Sequence, residues 1–233
     1  MAERVCVVTG VGPGTGTALA RRFAADGYRV ALLARDAGRL AKLAAELPGS
    51  SAFPVDVGNL DALRETLARV RVELGAPSVL LHNAVAGGFG TFESVTPEDF
   101  EQRFRVNVTS LLVMAQQLTP AMVEAGHGAI VVTGNTSAWR GKAAFAGFAP
   151  TKAAQRILAE SLARSLGPKG VHVAYVVIDA VIDVPWTRQA FSDRPDSFFI
   201  QPTAIADAVH HVAHQEKSGW TFELDLRPYC ENW

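Results

Sequence analysis

Cysteine is nearly absent from the 233 residues: Cys6 falls in an apolar run near the start and Cys230 lies close to the end. Two cysteines in a chain of this length build no disulfide framework, so both are expected to be free thiols. Long apolar runs are missing too. None approaches the roughly 18 residues that a membrane-spanning helix needs, and the first residues lack the basic and apolar regions of a secretory signal. The expectation is a cytoplasmic chain with no membrane partner. Without that signal, the glycosylation-like triplets at Asn107 and Asn135 carry no meaning. An excess of one charge is also lacking: 22 Lys and Arg against 23 Asp and Glu leave a net charge of −1, which gives no footprint for nucleic acid. Tyrosine is scarce, with Tyr28, Tyr175 and Tyr229 the only three. A reaction that needs a phenol has only these to draw on.

What is present is a globular composition, 48% hydrophobic and 19% charged. Short apolar runs alternate with amphipathic stretches from one end to the other. Strands are predicted at Arg4–Thr9, Arg29–Leu33, Ser51–Val55, Val79–His82, Ala129–Thr133 and Val171–Ile178, with Trp220–Leu226 as a closing strand. Helices are predicted at Gly14–Asp26, Asp36–Leu47, Asn59 to about Glu73, a long one from the Thr96-Pro97 start signal to about Glu124, Ala149–Leu166 and about Thr203–His214. This alternation predicts an α/β chain: a single Rossmann-like domain over residues 1–233, a doubly wound parallel sheet of about seven strands with helices on both faces. A short, rather apolar segment around 183–201 reads as a substrate lid, and residues 227–233 as an aromatic tail.

The sharpest chemical signal is the first strand-to-helix turn, Thr9-Gly10-Val11-Gly12-Pro13-Gly14-Thr15-Gly16. Glycines at such a turn let backbone N–H groups approach a pyrophosphate seated on a helix N-terminus, so Gly10, Gly14, Thr15 and Gly16 are candidate cofactor contacts. About twenty residues on, where this architecture reads the adenosine ribose, stands Arg35, which can pair with a 2′-phosphate and points to NADP. Two alternatives stay open: Asp36 as an acidic ribose reader would make the cofactor NAD, and Arg35 could be a solvated charge with Asp36 capping the helix.

These features together resemble the short-chain dehydrogenase/reductase family over nearly the whole chain. Its TGxxxGxG motif is similar to Thr9, Gly10, Gly14 and Gly16. Its adenine-contacting Asp-Val pair corresponds to Asp56-Val57, and its NNAG segment, imperfectly, to His82-Asn83-Ala84-Val85, which implies cofactor contacts at Asp56, Val57, Asn83 and Ala84. The catalytic Asn of the family corresponds to Asn107 and the Lys of its YxxxK motif to Lys152, whose implied role is to hold the nicotinamide ribose. Counting back from Lys152, the family's Tyr position holds Phe148 and its Ser position Asn135. The enoyl-reductase spacing, with Tyr seven residues before Lys, falls on Phe145. Asn107, Asn135, Phe148 and Lys152 are therefore the catalytic positions, with both hydroxyls gone.

A phenol at 148 would share a helix face with Lys152, whose ammonium would lower its pKa and let it exchange the substrate proton. Phe148 keeps the ring and loses the proton. Such a group typically contributes about 10²–10⁴-fold, so ordinary ketone reduction should be crippled while hydride transfer need not vanish. Asn135 can still donate to a carbonyl oxygen. Asp179 and Asp183, after the sixth predicted strand, are either one acid of raised pKa or loop carboxylates. His210 and His214 have metal-ligand spacing but no evident third ligand, which favours exposed helix histidines and no metal. The expected protein is an NADP(H)-dependent oxidoreductase with altered acid–base chemistry, acting on a small carbonyl or conjugated substrate, and the apolar lid suits one that is apolar or aromatic. A catalytically silent nucleotide-binding partner or sensor is the rival reading, and non-redox elimination or cyclisation a third. The apolar tail adds the expectation of a homo-oligomer, dimer or tetramer.

Overall fold

A computed structural model of the chain describes residues 4–231. Strands β1 (Val5–Thr9), β2 (Arg29–Ala34), β3 (Ser51–Pro54), β4 (Val79–His82), β5 (Gly128–Gly134), β6 (Val171–Ile178) and β9 (Glu223–Leu226) form one parallel seven-stranded sheet in the order β3-β2-β1-β4-β5-β6-β9. The order reverses between β1 and β4, and the crevice there opens outside the carboxyl ends of the strands. A separate two-stranded pair, β7 (Val181–Ile182) and β8 (Phe199–Ile200), brackets a segment that holds α7 (Pro185–Ala190).

The strands are apolar on both faces because helices cover both. Val5 and Val7 of β1 point into one core with Leu80, Ile130, Val173 and Tyr175, while Cys6 and Val8 point into the other with Val30, Leu32, Val131 and Val176. The first core is closed by α3 (Leu60–Leu74), α5 (Ser110–Glu124) and α6 (Ala149–Leu166), the second by α1 (Thr15–Ala25), α2 (Ala37–Glu46) and α8 (Pro202–Ala213). Both cysteines are free; burial pushes the Cys6 thiol well up, while Cys230 is exposed.

Three expectations need correction. The long helix predicted from Thr96 to Glu124 is two helices, α4 (Pro97–Phe104) and α5, joined by a π-helical turn, Arg105–Thr109. The wider turn contains Asn107, whose side chain is drawn out of register by two bonds to the loop after β4: Ala86 N–H donates to Oδ1 (2.8 Å) and Nδ2 donates to Ala86 O (3.0 Å). The closing strand is shorter than predicted, since Trp220 stacks on His172 at 4.8 Å and the pairing begins only at Glu223. His210 is not an exposed helix histidine: its ring packs edge-on against Phe23 at 5.0 Å, and Asp26 at the end of α1 meets both histidines. In the tail, Asn232 and Trp233 lie outside the described residues.

Candidate active site

The site grows from the end of β1. Thr9 is fully buried, and its Oγ1 accepts from Asn83 N–H and Ala84 N–H, both at 3.1 Å, latching the end of β1 to the end of β4. Asn83 Nδ2 donates to Gly10 O at 3.0 Å. The chain can pass this closely only without side chains. A Cβ on Gly10, which has φ +66°, would lie 2.7 Å from Ala84, and one on Gly16 would lie 2.2 Å from Gly10 O.

Past this turn α1 starts at Thr15 with no side-chain cap and no acidic residue in its first turn. By contrast α2, α3 and α4 are capped by Asp36, Asn59 and Thr96. The first amides of α1 thus face the crevice without an intrahelical partner. Thr15 Oγ1 is buried and hydrogen-bonds to nothing among the described residues. An uncapped helix end and an orphaned hydroxyl make a site with donors to spare for an anion.

The crevice is a groove of about 960 Å³. It gathers Gly10, Gly14, Thr15, Gly16, Arg35, Asp56, Val57, Asn83 and Ala84, nearly every cofactor position read from the sequence. At one end of the groove Asp36 is occupied: its Oδ1 accepts from Arg39 N–H at 2.9 Å as the cap of α2, and its other oxygen pairs with the Arg39 guanidinium at 3.0 Å. Arg35 is exposed on the groove wall, and no described carboxylate pairs with it. Arg39 lines the same wall, a residue missed in the sequence although its spacing of four from Arg35 was the signal. Val184 and Trp186 also line the groove; a Cβ on Gly14 would lie 2.7 Å from Val184 Cγ1.

The catalytic positions are arranged differently. Lys152, placed by the family pattern at the cofactor, does not line the groove. It is 2% exposed, and its ammonium donates to Thr133 O at 3.2 Å and to Gln155 Oε1. Burial with no carboxylate beside it pulls its pKa down to about 7. Gln155, not recognised in the sequence, is locked in that orientation because its Nε2 donates to Asn107 O at 2.7 Å and faces His82 Nδ1 at 3.3 Å. His82 then donates from Nε2 to Ser110 Oγ at 3.0 Å, and burial holds its pKa down at about 3, so the ring is neutral. Asn107 is fully buried under the groove; it holds Ala86, a groove residue, and donates to Thr151 Oγ1 at 2.8 Å.

Phe148 precedes α6 with its ring 7% exposed, close to Gly87 of the groove. Its backbone keeps the spacing, because Lys152 N–H donates to Phe148 O at 3.2 Å. Asn135 Oδ1 accepts from Ser137 N–H at 3.0 Å, which leaves its Nδ2 the free end of the amide. None of the three tyrosines lines the groove. Tyr28 bonds His214, Tyr229 is 93% exposed, and Tyr175 is fully buried beneath Gly134 with burial pushing its phenol pKa up. Nor is Asp183 an acid of raised pKa: Arg188 grips it from two nitrogens (2.6 and 2.7 Å) and Gln201 donates to it, which holds it down at about 2. Asp179 pairs with Arg140 at 3.4 Å and with Arg227 at 3.6 Å.

Comparison with known proteins agrees with this geometry. A sequence model of the short chain dehydrogenase family matches residues 4–194. The chain is 30% identical over 203 residues to oxidoreductase asL5 of Sarocladium schorii, covering 87% of this chain and 81% of that one. It is 31% identical over 168 residues to carbonyl reductase [NADPH] 2 of Sus scrofa, covering 72% and 67%. The crystal structure of a metagenomic short-chain oxidoreductase in complex with NADP superposes with a TM-score of 0.84 at 27% identity, over 97% of each chain. Family model, relatives and sheet order coincide: this chain belongs to the short-chain dehydrogenase/reductase family of NAD(P)-dependent oxidoreductases.

Proposed function

We propose that the protein is an NADP(H)-dependent reductase of a small, apolar or aromatic carbonyl or conjugated substrate, with the proton delivered by water or by the substrate rather than by a tyrosine. The observation that carries this reading is the groove's donor set: an uncapped α1, an orphaned Thr15 hydroxyl, and Arg35 with no carboxylate beside an Asp36 already spent on capping. These residues fit a dinucleotide with a 2′-phosphate. The first turn of α1 and Thr15 would hold the pyrophosphate, Arg35 and Arg39 the 2′-phosphate, and Asp56-Val57 the adenine. NADPH supplies a hydride when bound. The chain's own residues do the rest: Asn107 fixes the groove floor at Ala86, and Asn135 Nδ2 donates to a substrate oxygen that gains negative charge. Phe89, Phe145 and Phe148 form a ring series at 5.3 and 6.2 Å, and Trp186 projects at the groove; they supply apolar contact surface for the substrate.

A second reading, a catalytically silent nucleotide-binding partner or sensor, is favoured by one observation: Lys152 is satisfied inside the protein and not at the groove. Titration of NADPH and NADH, followed by a screen of carbonyl and enoyl substrates for cofactor oxidation, separates the two. NADPH should bind more tightly than NADH, and Arg35→Ala should weaken NADPH by roughly 10–100-fold while leaving NADH nearly unchanged, as expected for a lost charge-assisted contact. Equal losses for both cofactors refute the NADP assignment. Phe148→Tyr should raise turnover of any carbonyl substrate by about 10²–10⁴-fold. Tight NADPH binding with no turnover in either protein leaves the silent reading standing.

A further inference from the structure

At the far end of α1 from the nucleotide turn, three groups that sequence spacing could not connect converge. Asp26 follows the last residue of α1, and His210 and His214 lie on one side of the end of α8. Asp26 Oδ2 is 3.2 Å from His210 Nε2 and 3.8 Å from His214 Nε2, and one donor atom from each residue lies within 4.8 Å of the others. We propose that Asp26, His210 and His214 form a binding site for a divalent transition-metal ion of the zinc type.

The donor geometry suits such an ion. Around a tetrahedral centre with bonds of about 2.1 Å, donor atoms stand about 3.4 Å apart, close to the separations from Asp26. The tautomers suit it as well. His214 Nδ1 faces its own helix carbonyl, His210 O, at 2.7 Å and must donate to it, so Nε2 carries the lone pair. Tyr28 Oη lies 2.9 Å from that Nε2, a hydrogen bond that an incoming ion would replace. His210 Nε2 is buried and is aligned for a hydrogen bond with no described residue, despite its approach to Asp26.

The electrostatic setting favours a cation. Two helix C-termini, those of α1 and α8, end at the cluster and bring the negative ends of their dipoles together. The other charged groups are committed. Arg4 donates to Asp26 Oδ2 at 3.1 Å with its guanidinium over the Tyr28 ring at 4.5 Å, and Arg22 pairs with Asp207 at 2.9 Å. Arg4 meets the same Asp26 oxygen that faces the histidines, so a bound ion would take over that contact. The site would join the second layer of helices through α1 and α8, which pack against each other, and is independent of the reaction in the groove.

The test uses untagged, chelator-stripped protein carrying Cys230→Ser, so that the exposed thiol adds no ligand. Co²⁺ titration should develop visible absorption bands saturating at one ion per chain, and Zn²⁺ should displace them and raise the melting temperature. His214→Ala, at an exposed position whose fold is checked by circular dichroism, should weaken binding by at least the roughly 10-fold that even an outer-shell partner is worth, and should abolish the melting shift. Asp26→Asn should do the same. Absent bands, or a loss below about 10-fold in His214→Ala, overturn the proposal. His210→Ala is secondary, since that ring also packs on Phe23.

Discussion

The turn after β1 and the segment after β5 open at the same edge of the sheet, yet they treat their polar groups in opposite ways. Around Gly10–Gly16 the fold leaves donors unspent: α1 has no cap, Thr15 Oγ1 has no partner, and Arg35 has no carboxylate. Around Asn135–Lys152 it spends nearly everything inside the protein. Lys152 is held by Thr133 and Gln155, Gln155 by Asn107 and His82, and His82 by Ser110. A buried unpartnered polar group costs about 1–3 kcal/mol, which an anion pairing with the Thr15 hydroxyl would recover, while the second region pairs its polar side chains within the protein. On the proposed reading, cofactor capture and proton chemistry are separable on one scaffold.

The contrast breaks most readily at Gly16. A methyl there would meet Gly10 O at 2.2 Å, so Gly16→Ala must open the turn and should weaken NADPH binding by more than about 100-fold, read by fluorescence titration with far-UV circular dichroism preserved. Unchanged affinity would mean that the turn does not bind pyrophosphate.

Lys152 tests the other region. Its folded pKa of about 7 lies below the ordinary 10.5, so between those values the unfolded chain holds a proton that the folded chain refuses. Stability from this group therefore rises as pH increases from about 7 to about 10.5 and is flat below about 7. Lys152→Met should remove that slope. At pH 7 it should stabilise the fold by on the order of 2–3 kcal/mol, after the partner lost by Gln155 is counted. Urea midpoints at neutral and alkaline pH decide it; equal slopes in the two proteins would show that Lys152 is charged and paired.

Thr15→Val should have the smallest effect and the cleanest sign. The swap removes an unpaired hydroxyl of the same shape, so the cofactor-free protein should keep or slightly gain stability, while NADPH binding weakens by roughly 10-fold. A loss of stability without loss of affinity would place the hydroxyl in the fold rather than the site.

Much of this was legible in the chain. Continuous apolar runs alternating with helical faces gave the order and class of the elements, because a strand buried on both faces has few other solutions. The glycine turn gave the groove, since only glycine tolerates φ +66° at Gly10 with Ala84 so close. The spacing from Asn135 to Lys152 also survived folding, with Lys152 N–H still bonded to Phe148 O. What the chain could not express was direction. Nothing local says that Lys152 turns inward, because that depends on Gln155 being locked by His82 and Asn107 from two other elements. Nothing local breaks the helix at Asn107, because the pull comes from Ala86 on the loop after β4. And His210 and His214 found Asp26 only because α1 packs against α8, which brings together residues 184 and more positions apart. Periodicity and backbone chemistry act over a few residues and were fixed by sequence; which side chain satisfies which is a matter of long-range packing, and only the tertiary structure decided it.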